Sequence, residues 1–118
     1  MFEIINNILD GMNIPYYDRQ PEFSKNLPSQ FITYSFYNVP AFYGCGIEQI
    51  TRYHVTFNIY TTGDNYKIQA DTINDTLTAL LLENDFLRQS GSYGISNDFP
   101  KYYHRIIEFI YDYERNDF

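Results

Sequence analysis

The hydrophobic pattern of this chain changes period near its middle, from two residues to three and four. Apolar and polar side chains alternate over residues 48–61, which predicts a β-strand with one solvated face. After a turn at residues 61–64, apolar side chains recur at helical spacing, at Tyr66, Ala70, Ile73, Leu77, Leu80 and Leu81. A strand and an amphipathic helix in succession predict a helix packed on one face of a sheet.

Other segments continue this pattern. Helical spacing of apolar residues predicts a short helix over residues 2–12. Aromatic and β-branched residues predict strands over residues 30–39 and 101–113. The last strand carries apolar residues on both faces, which is typical of a central strand or of one covered on its second side. A further extended segment begins at Phe86.

Three segments are predicted to be irregular. Residues 13–29 contain Pro15, Pro21 and Pro28, so we expect an irregular arm that lies over the domain. Residues 38–46 contain a proline and two glycines and predict a loop. Residues 90–94 are rich in serine and glycine and are expected to interrupt the segment after Phe86.

These elements follow one another in the order α-β-β-α-β-β. The order predicts an α+β fold in which an antiparallel β-sheet packs against one long helix, with a short N-terminal helix beside it. With 118 residues and 14.1 kDa, the chain has the size of a single domain, and we expect residues 1–118 to form one.

Charge and composition narrow the classes of function. Fifteen acidic residues against eight basic ones give a formal net charge of -7, which disfavours direct binding of nucleic acid. The chain contains 13 tyrosines and 10 phenylalanines, and tyrosine is common on half-buried sheet faces and on protein contact surfaces. A biased genome that favours tyrosine codons is the alternative explanation for that abundance.

Several features predict a cytoplasmic protein. The chain has one cysteine, Cys45, so no internal disulfide can form and a reducing compartment fits. Residues 1–10 contain acids and amides where a signal peptide needs basic and apolar residues. No stretch approaches the roughly 20 apolar residues of a membrane-spanning helix. We therefore expect no membrane association.

Few residues are candidates for chemistry. Cys45 lies between two glycines, but no neighbouring base or Cys-x-x-Cys spacing supports a nucleophile. His54 and His104 lie on different predicted strands that pairing could bring together, yet metal-ligand spacing is missing. Phosphate-binding and nucleophile-elbow motifs are missing too. We predict no catalytic residue, no metal, no cofactor and no enzymatic activity.

Three stretches, together with the N-terminal helix, resemble the tail terminator, or tail completion, proteins of long-tailed bacteriophages and prophages. They are the strand at residues 53–60, the helix at 68–84 that leads into Asp85 and Phe86, and the final strand at 103–109. Element order and hydrophobic pattern carry the resemblance, which covers most of the chain. Residues 13–29 have no counterpart in it.

The resemblance implies a structural protein of the virion tail. Such a protein forms a ring, typically a hexamer, at the head-proximal end of the tail tube, stops polymerisation of the tube and docks the head-completion proteins. Its partners are then further copies of itself, the tail tube protein and the connector proteins. DNA passes through such a ring without specific binding, and an acidic lining would keep it from adhering.

Two sets of residues follow as hypotheses. Aromatic residues at the first strand and the following loop are expected to contact other subunits or the tube: Tyr34, Tyr37, Phe42 and Tyr43. Acidic residues at the long helix are expected to face the lumen: Asp64, Asp71 and Asp75. Two alternatives stay open, namely a head-tail joining or head-closure connector of the same assembly, and a small ligand-binding domain unrelated to phages.

Overall fold

A computed structural model of the chain describes residues 2–18, 29–44, 47–95 and 102–114. Within these residues it shows a mixed α/β fold with two helices and a five-stranded, mostly antiparallel sheet. The helices are α1 (Phe2–Asp10) and α2 (Tyr66–Glu83). The strands are β1 (Tyr16–Asp18), β2 (Gln30–Gly44), β3 (Ile47–Thr61), β4 (Leu87–Ile95) and β5 (Tyr103–Glu114).

The strands lie across the sheet in the order β1-β2-β3-β5-β4. β2 and β3 are 15 residues each and form an antiparallel hairpin. β5 lies antiparallel between β3 and β4, so the prediction of a central last strand is confirmed. Because side chains alternate between the two faces, Val55, Phe57 and Ile59 of β3 share one face with Ile107 and Phe109 of β5.

Both helices cover this same face of the sheet. Ile5 and Leu9 of α1 and Leu77 and Leu81 of α2 are buried against it, so the prediction of one long helix on the sheet omitted the contribution of α1. The buried residues of this core are Ile5, Ile8, Leu9, Ile32, Tyr34, Val55, Phe57, Ile59, Ile73, Leu77, Leu81, Phe86, Ile107 and Phe109. We call this side of the sheet the helix-covered face and the other side the open face.

The segment that was predicted to be irregular contains a short strand. β1 pairs parallel with Ile32–Tyr34 of β2, and the Ile32 N–H donates to the carbonyl oxygen of Pro15 at 3.0 Å. Proline is tolerated immediately before an edge strand, because its missing N–H removes no ladder hydrogen bond there. The element order is therefore α-β-β-β-α-β-β. Residues 19–28 of the predicted arm lie outside the described residues.

The predicted loop at residues 38–46 is mostly strand. β2 continues through Pro40 to Gly44, and the hairpin partner begins at Ile47. The pairing shifts register between Pro40 and Phe42 and again between Phe42 and Tyr43. Such bulges accommodate a proline within a ladder, which is why the local sequence looked like a loop. Residues 45–46, including Cys45, lie outside the described part of the chain.

β4 differs from its prediction for a similar reason. The serines and glycines of residues 90–94 were expected to interrupt the segment, whereas the strand runs without a break from Leu87 to Ile95. Its pairing with β5 shifts register between Arg88 and Ser90. Cross-strand pairing with β5 overrides the weak intrinsic strand preference of glycine and serine, because that preference depends on tertiary context.

The ends of α2 are set by short polar residues. Asn65 is the N-cap, although its side chain makes no capping hydrogen bond, and the Thr61 hydroxyl donates to the Tyr66 carbonyl oxygen at 2.8 Å. At the other end Asp85 has a φ of 69°, and the Phe86 N–H donates to the Leu81 carbonyl oxygen. This left-handed residue stops the helix where the sequence predicted its end. In the described residues, neither helix is long and apolar enough to span a lipid bilayer.

Candidate interaction surface

The open face of the sheet is covered at one end by a cluster of aromatic rings. Phe31 and Tyr60 are buried there and stack with ring centroids 4.7 Å apart. Tyr102 and Tyr17 approach the Phe31 ring edge-on at 5.3 and 6.0 Å, and His104 stacks on Tyr60 at 4.4 Å. Edge-on and offset ring contacts stabilise beyond the area that they bury. This end of the open face is therefore a small second core.

The other end of the open face is exposed to solvent. The Tyr37 side chain is 61% exposed and stacks on His54, with centroids 4.8 Å apart and planes 7° from parallel. Val39 follows on the same face of β2 and is also exposed. Leu87 of β4 is 60% exposed and is paired in register with Ile110, which lies beside His54. Exposed apolar side chains in one area of a surface mark candidate contacts with other proteins.

An ion pair borders this exposed area. Arg52 of β3 donates from Nε to Asp112 Oδ1 at 2.8 Å and from Nη2 to Oδ2 at 3.0 Å. The two residues are directly opposite each other in the β3–β5 ladder, which gives the guanidinium the geometry for a two-point contact. Hydrogen bonds from Arg52 hold the pKa of the Asp112 carboxyl below its ordinary value of 3.8, against the raising effect of partial burial.

This ion pair predicts a pH dependence of stability. Because the pKa of Asp112 is lower in the folded chain than in the unfolded one, its stabilisation is complete above pH 3.8 and is lost as pH falls through the lowered value. We expect Asp112→Asn to be less stable than wild type at neutral pH. At pH values below the lowered pKa of Asp112, the stabilities of the two proteins should become similar. Urea unfolding at a series of pH values measures this, and a difference that is independent of pH would contradict it.

The structure separates the two histidines. His54 and His104 both lie on the open face, but His104 pairs in register with Tyr60, six positions along β3 from His54. At about 3.4 Å per residue that spacing is roughly 20 Å, too far for one metal ion. His104 also donates from Nε2 to Asn58 Oδ1 at 2.8 Å. Within the described ranges, no group of three or more His, Cys, Asp or Glu side chains could hold a metal ion.

The predicted contact tyrosines have different positions. Tyr37 is exposed, as a contact residue must be, but Tyr34 lies on the helix-covered face with 2% of its surface exposed. The Tyr34 hydroxyl donates to Asn6 Oδ1 of α1 at 2.8 Å. Tyr34 therefore joins α1 to the sheet by a hydrogen bond. Because it is buried inside the chain, it does not lie on the surface available to a second subunit. Alternation along β2 places the two tyrosines, three residues apart, on opposite faces.

Removing the Tyr34 hydroxyl should measurably lower the stability of the fold. We expect Tyr34→Phe to lower the free energy of unfolding by about 1 kcal/mol, because it deletes a part-buried hydrogen bond and leaves its ring in place. Urea unfolding provides the measurement. Tyr37→Phe is the matched control and should change stability by less than about 0.5 kcal/mol. Equal effects of the two variants would show that the contact with Asn6 does not stabilise the fold.

Phe42 and Tyr43 were the other predicted contact residues. Their backbone belongs to the last part of β2, beyond the register shift that follows Pro40. Their side chains lie outside the described part of the structure. Their expected role in subunit contacts therefore stays a prediction.

The predicted acidic surface lies on the side of the molecule that carries the helices. Asp64 is exposed in the turn before α2, and Asp71 and Asp75 are exposed on α2 itself. Asp71 forms an ion pair with Arg105 of β5. Asp75 accepts a hydrogen bond from Asn74 Nδ2 at 3.3 Å. The three aspartates thus lie on the opposite layer from Tyr37, and two of them, Asp71 and Asp75, already have partners within the chain.

The sheet has two edges at which the described residues place no second neighbouring strand. In the described residues, β4 has β5 on one side and no strand on the other, and β1 covers β2 only at Ile32–Tyr34. Residues 37–44 of β2 therefore lie on a second edge, where the described part of the chain supplies no neighbouring strand. Backbone N–H and C=O groups along such edges are a template for another strand. Sequence reasoning missed both edges, because strand order leaves no local signal.

A groove lies between the two helices. It has a volume of about 320 Å³ and is lined by Ile4, Asn7, Ile8, Gly11, Leu80 and Asn84. Among the described residues, the lining is mostly apolar and contains no titratable side chain. Binding sites for polar ligands need several convergent polar groups, and two asparagine side chains do not supply an acid, a base or a nucleophile.

The chain was also compared with known proteins. No family model matches it, and no curated protein is significantly similar to it in sequence. The assignment of a function therefore depends on the two open sheet edges, the exposed area around Tyr37 and the charge of the chain.

Proposed function

We propose that this chain is a structural subunit that assembles with copies of itself into a ring, as a tail terminator protein of a long-tailed phage or prophage does. The observation that supports this most is the pair of sheet edges without a neighbouring strand in the described residues. When two different edges of a subunit pair with each other, each copy binds the next in the same head-to-tail manner. Such contacts produce a closed ring if the rotation from one copy to the next divides a full turn evenly.

The exposed apolar area agrees with such a role. Tyr37, Val39 and Leu87 lie on the open face, where the helices of the same chain do not reach. Tyrosine supplies a large rigid contact area at a small cost in side-chain entropy, so it is frequent in protein contacts. The exposed end of the open face is thus suited to contact another subunit or the tail tube protein.

The charge of the chain agrees with passage of DNA through a ring. A formal net charge of -7 repels phosphates, so DNA would move past the protein without salt-dependent adhesion. In this proposal the chain assembles in the cytoplasm of the host cell and stays in the virion tail. It binds the tube protein on one side and a head-completion protein on the other.

The first test is the mass of the assembled protein. We expect native mass spectrometry and light scattering of the full chain to show a closed oligomer, of one defined number of subunits, that dissociates on dilution. Negative-stain electron microscopy should show rings. A chain that stays monomeric over about a hundredfold range of concentration, alone and with tube protein, would refute the proposal.

The second test separates a terminator from a head-closure connector. The tube protein encoded by the same genome is polymerised in the presence of the purified chain. A terminator binds one end of the tubes and limits their length, whereas a connector binds head-completion protein and leaves tube length unchanged. Tubes of unchanged length with no bound chain would exclude the terminator function.

A further inference from the structure

The two open edges of the sheet run in opposite directions. β2 is antiparallel to β3, β3 to β5, and β5 to β4, so β4 runs opposite to β2. Rotation of a second copy about an axis that is inclined to the strands by less than a right angle does not reverse the strand directions. β4 of one copy beside β2 of the next is therefore an antiparallel pair, which is the more stable kind of strand pairing.

The lengths of the edges match as well. On β2, residues 37–44 have no neighbouring strand within the ranges that the structure describes, and β4 is 9 residues long. β1 blocks the other end of β2 at Ile32–Tyr34, so an incoming strand has one stretch available. We propose that copies of this chain associate edge to edge, with β4 of one copy pairing antiparallel with residues 37–44 of the next. This inference rests on the proposed self-assembly and names its interface.

The position of β1 also sets a stagger between the copies. Within one copy, Leu87 lies at the same height along the strands as Tyr37. This follows from the register, because Leu87 pairs with Ile110, Ile110 with His54, and His54 with Tyr37. Pairing with residues 37–44 places Leu87 near residue 44 of the neighbour, a step of about seven residues or roughly 23 Å along the strands. A staggered sheet closes on itself only when its strands are also tilted relative to the ring axis, as in a β-barrel. With strands parallel to that axis, the same step would produce a helical filament, so the proposed ring requires tilted strands.

Exposed apolar side chains accompany both edges. Tyr37 and Val39 lie on the open face of β2, and Leu87 lies on the same face of β4. Rotation about the ring axis keeps this face on one side of every copy. A continuous sheet thus places Leu87 of one copy on the same side as Val39 of the next, about five residues apart along the strands.

Two double variants test the pairing. Tyr37→Lys with Val39→Lys places charges on the β2 edge, and Leu87→Lys with Gln89→Lys places them on the β4 edge, where lysine opposes addition of a strand. Each variant alone should lose every species larger than a monomer. The matched control replaces Ile68 and Leu82 by lysine, because both are exposed apolar residues of α2. The control should assemble like wild type.

A mixture of the two variants distinguishes this interface from other contacts. The first variant keeps an intact β4 edge and the second an intact β2 edge, so an equal mixture should form a heterodimer with one good interface and no larger species. Native mass spectrometry measures this, and circular dichroism shows that each variant is folded. Hydrogen exchange should be slowed on assembly in β4 and in residues 37–44.

Different failures have different meanings. If wild type assembles and either edge variant still assembles alone, or if the mixture stays monomeric with both variants folded, edge pairing is refuted while the ring proposal stands. If wild type itself never exceeds the mass of a monomer, both the interface and the proposed ring function are refuted.

Discussion

Replacing Phe57 by alanine is expected to lower the free energy of unfolding by about 3–5 kcal/mol, one of the two largest effects of any single substitution considered. Phe57 lies at the middle of β3, is fully buried, and contacts the rings of Phe109 and Tyr34 at 6.2 and 6.4 Å between centroids. The substitution removes a fully buried ring from the core that the two helices and the central strands form together. Because small domains are stable by about 5–15 kcal/mol, a large part of the protein should unfold at moderate urea.

The control for this prediction is an apolar residue that the fold leaves in water. Ile68 on α2 is 67% exposed, and Ile68→Ala should change stability by less than about 0.5 kcal/mol. Urea unfolding followed by circular dichroism gives both values. If Phe57→Ala lowers the free energy of unfolding by less than about 1 kcal/mol, the main core does not lie on the helix-covered face.

Phe31→Ala should destabilise the chain by a similar amount, about 3–5 kcal/mol, although Phe31 lies on the opposite face of the sheet. Its ring is the centre of the second core and contacts the rings of Tyr60, Tyr102 and Tyr17. Loss of that ring removes three aromatic contacts at once and leaves a cavity that the neighbouring strands cannot fill without shifting.

Tyr113 provides the comparison, since it is an aromatic strand residue with about half of its surface exposed. Tyr113→Ala should cost less than about 1 kcal/mol in the same unfolding measurement. Equal costs for the two variants would mean that the cluster around Phe31 is not a packed core. The result also decides how much of the open face is available for contacts, because only its unpacked end is free for a partner.

Much of the local structure follows from residue patterns alone. The alternation around Phe57 predicts β3 and the face that it buries, since period two matches the geometry of a strand. The recurrence of Ile73, Leu77 and Leu81 predicts α2 and its buried stripe. Asn84 and Asp85 predict the end of that helix. These features depend on neighbours within a few positions, which is why pattern reasoning reaches them.

Cross-strand pairing decides the features that local patterns missed. Pro40 lies within a strand because β3 pairs with the residues on both sides of it, and the glycine- and serine-rich β4 is a strand because β5 pairs with it. Tyr34 and Tyr37 look equivalent in sequence, yet one holds α1 to the sheet and the other meets solvent. That difference comes from which face the helices cover.

The candidate interface also depends partly on the sequence and partly on the tertiary structure. Composition and charge show an acidic chain rich in aromatic residues, and from these features alone we predict other proteins rather than nucleic acid as partners. Which residues are available for contact depends on the strand order, and that order is set by pairings between residues up to about 60 positions apart. Because no short segment specifies its distant partner, the two edges that the described sheet leaves without a neighbour, at β4 and at residues 37–44, follow only from the assembled sheet.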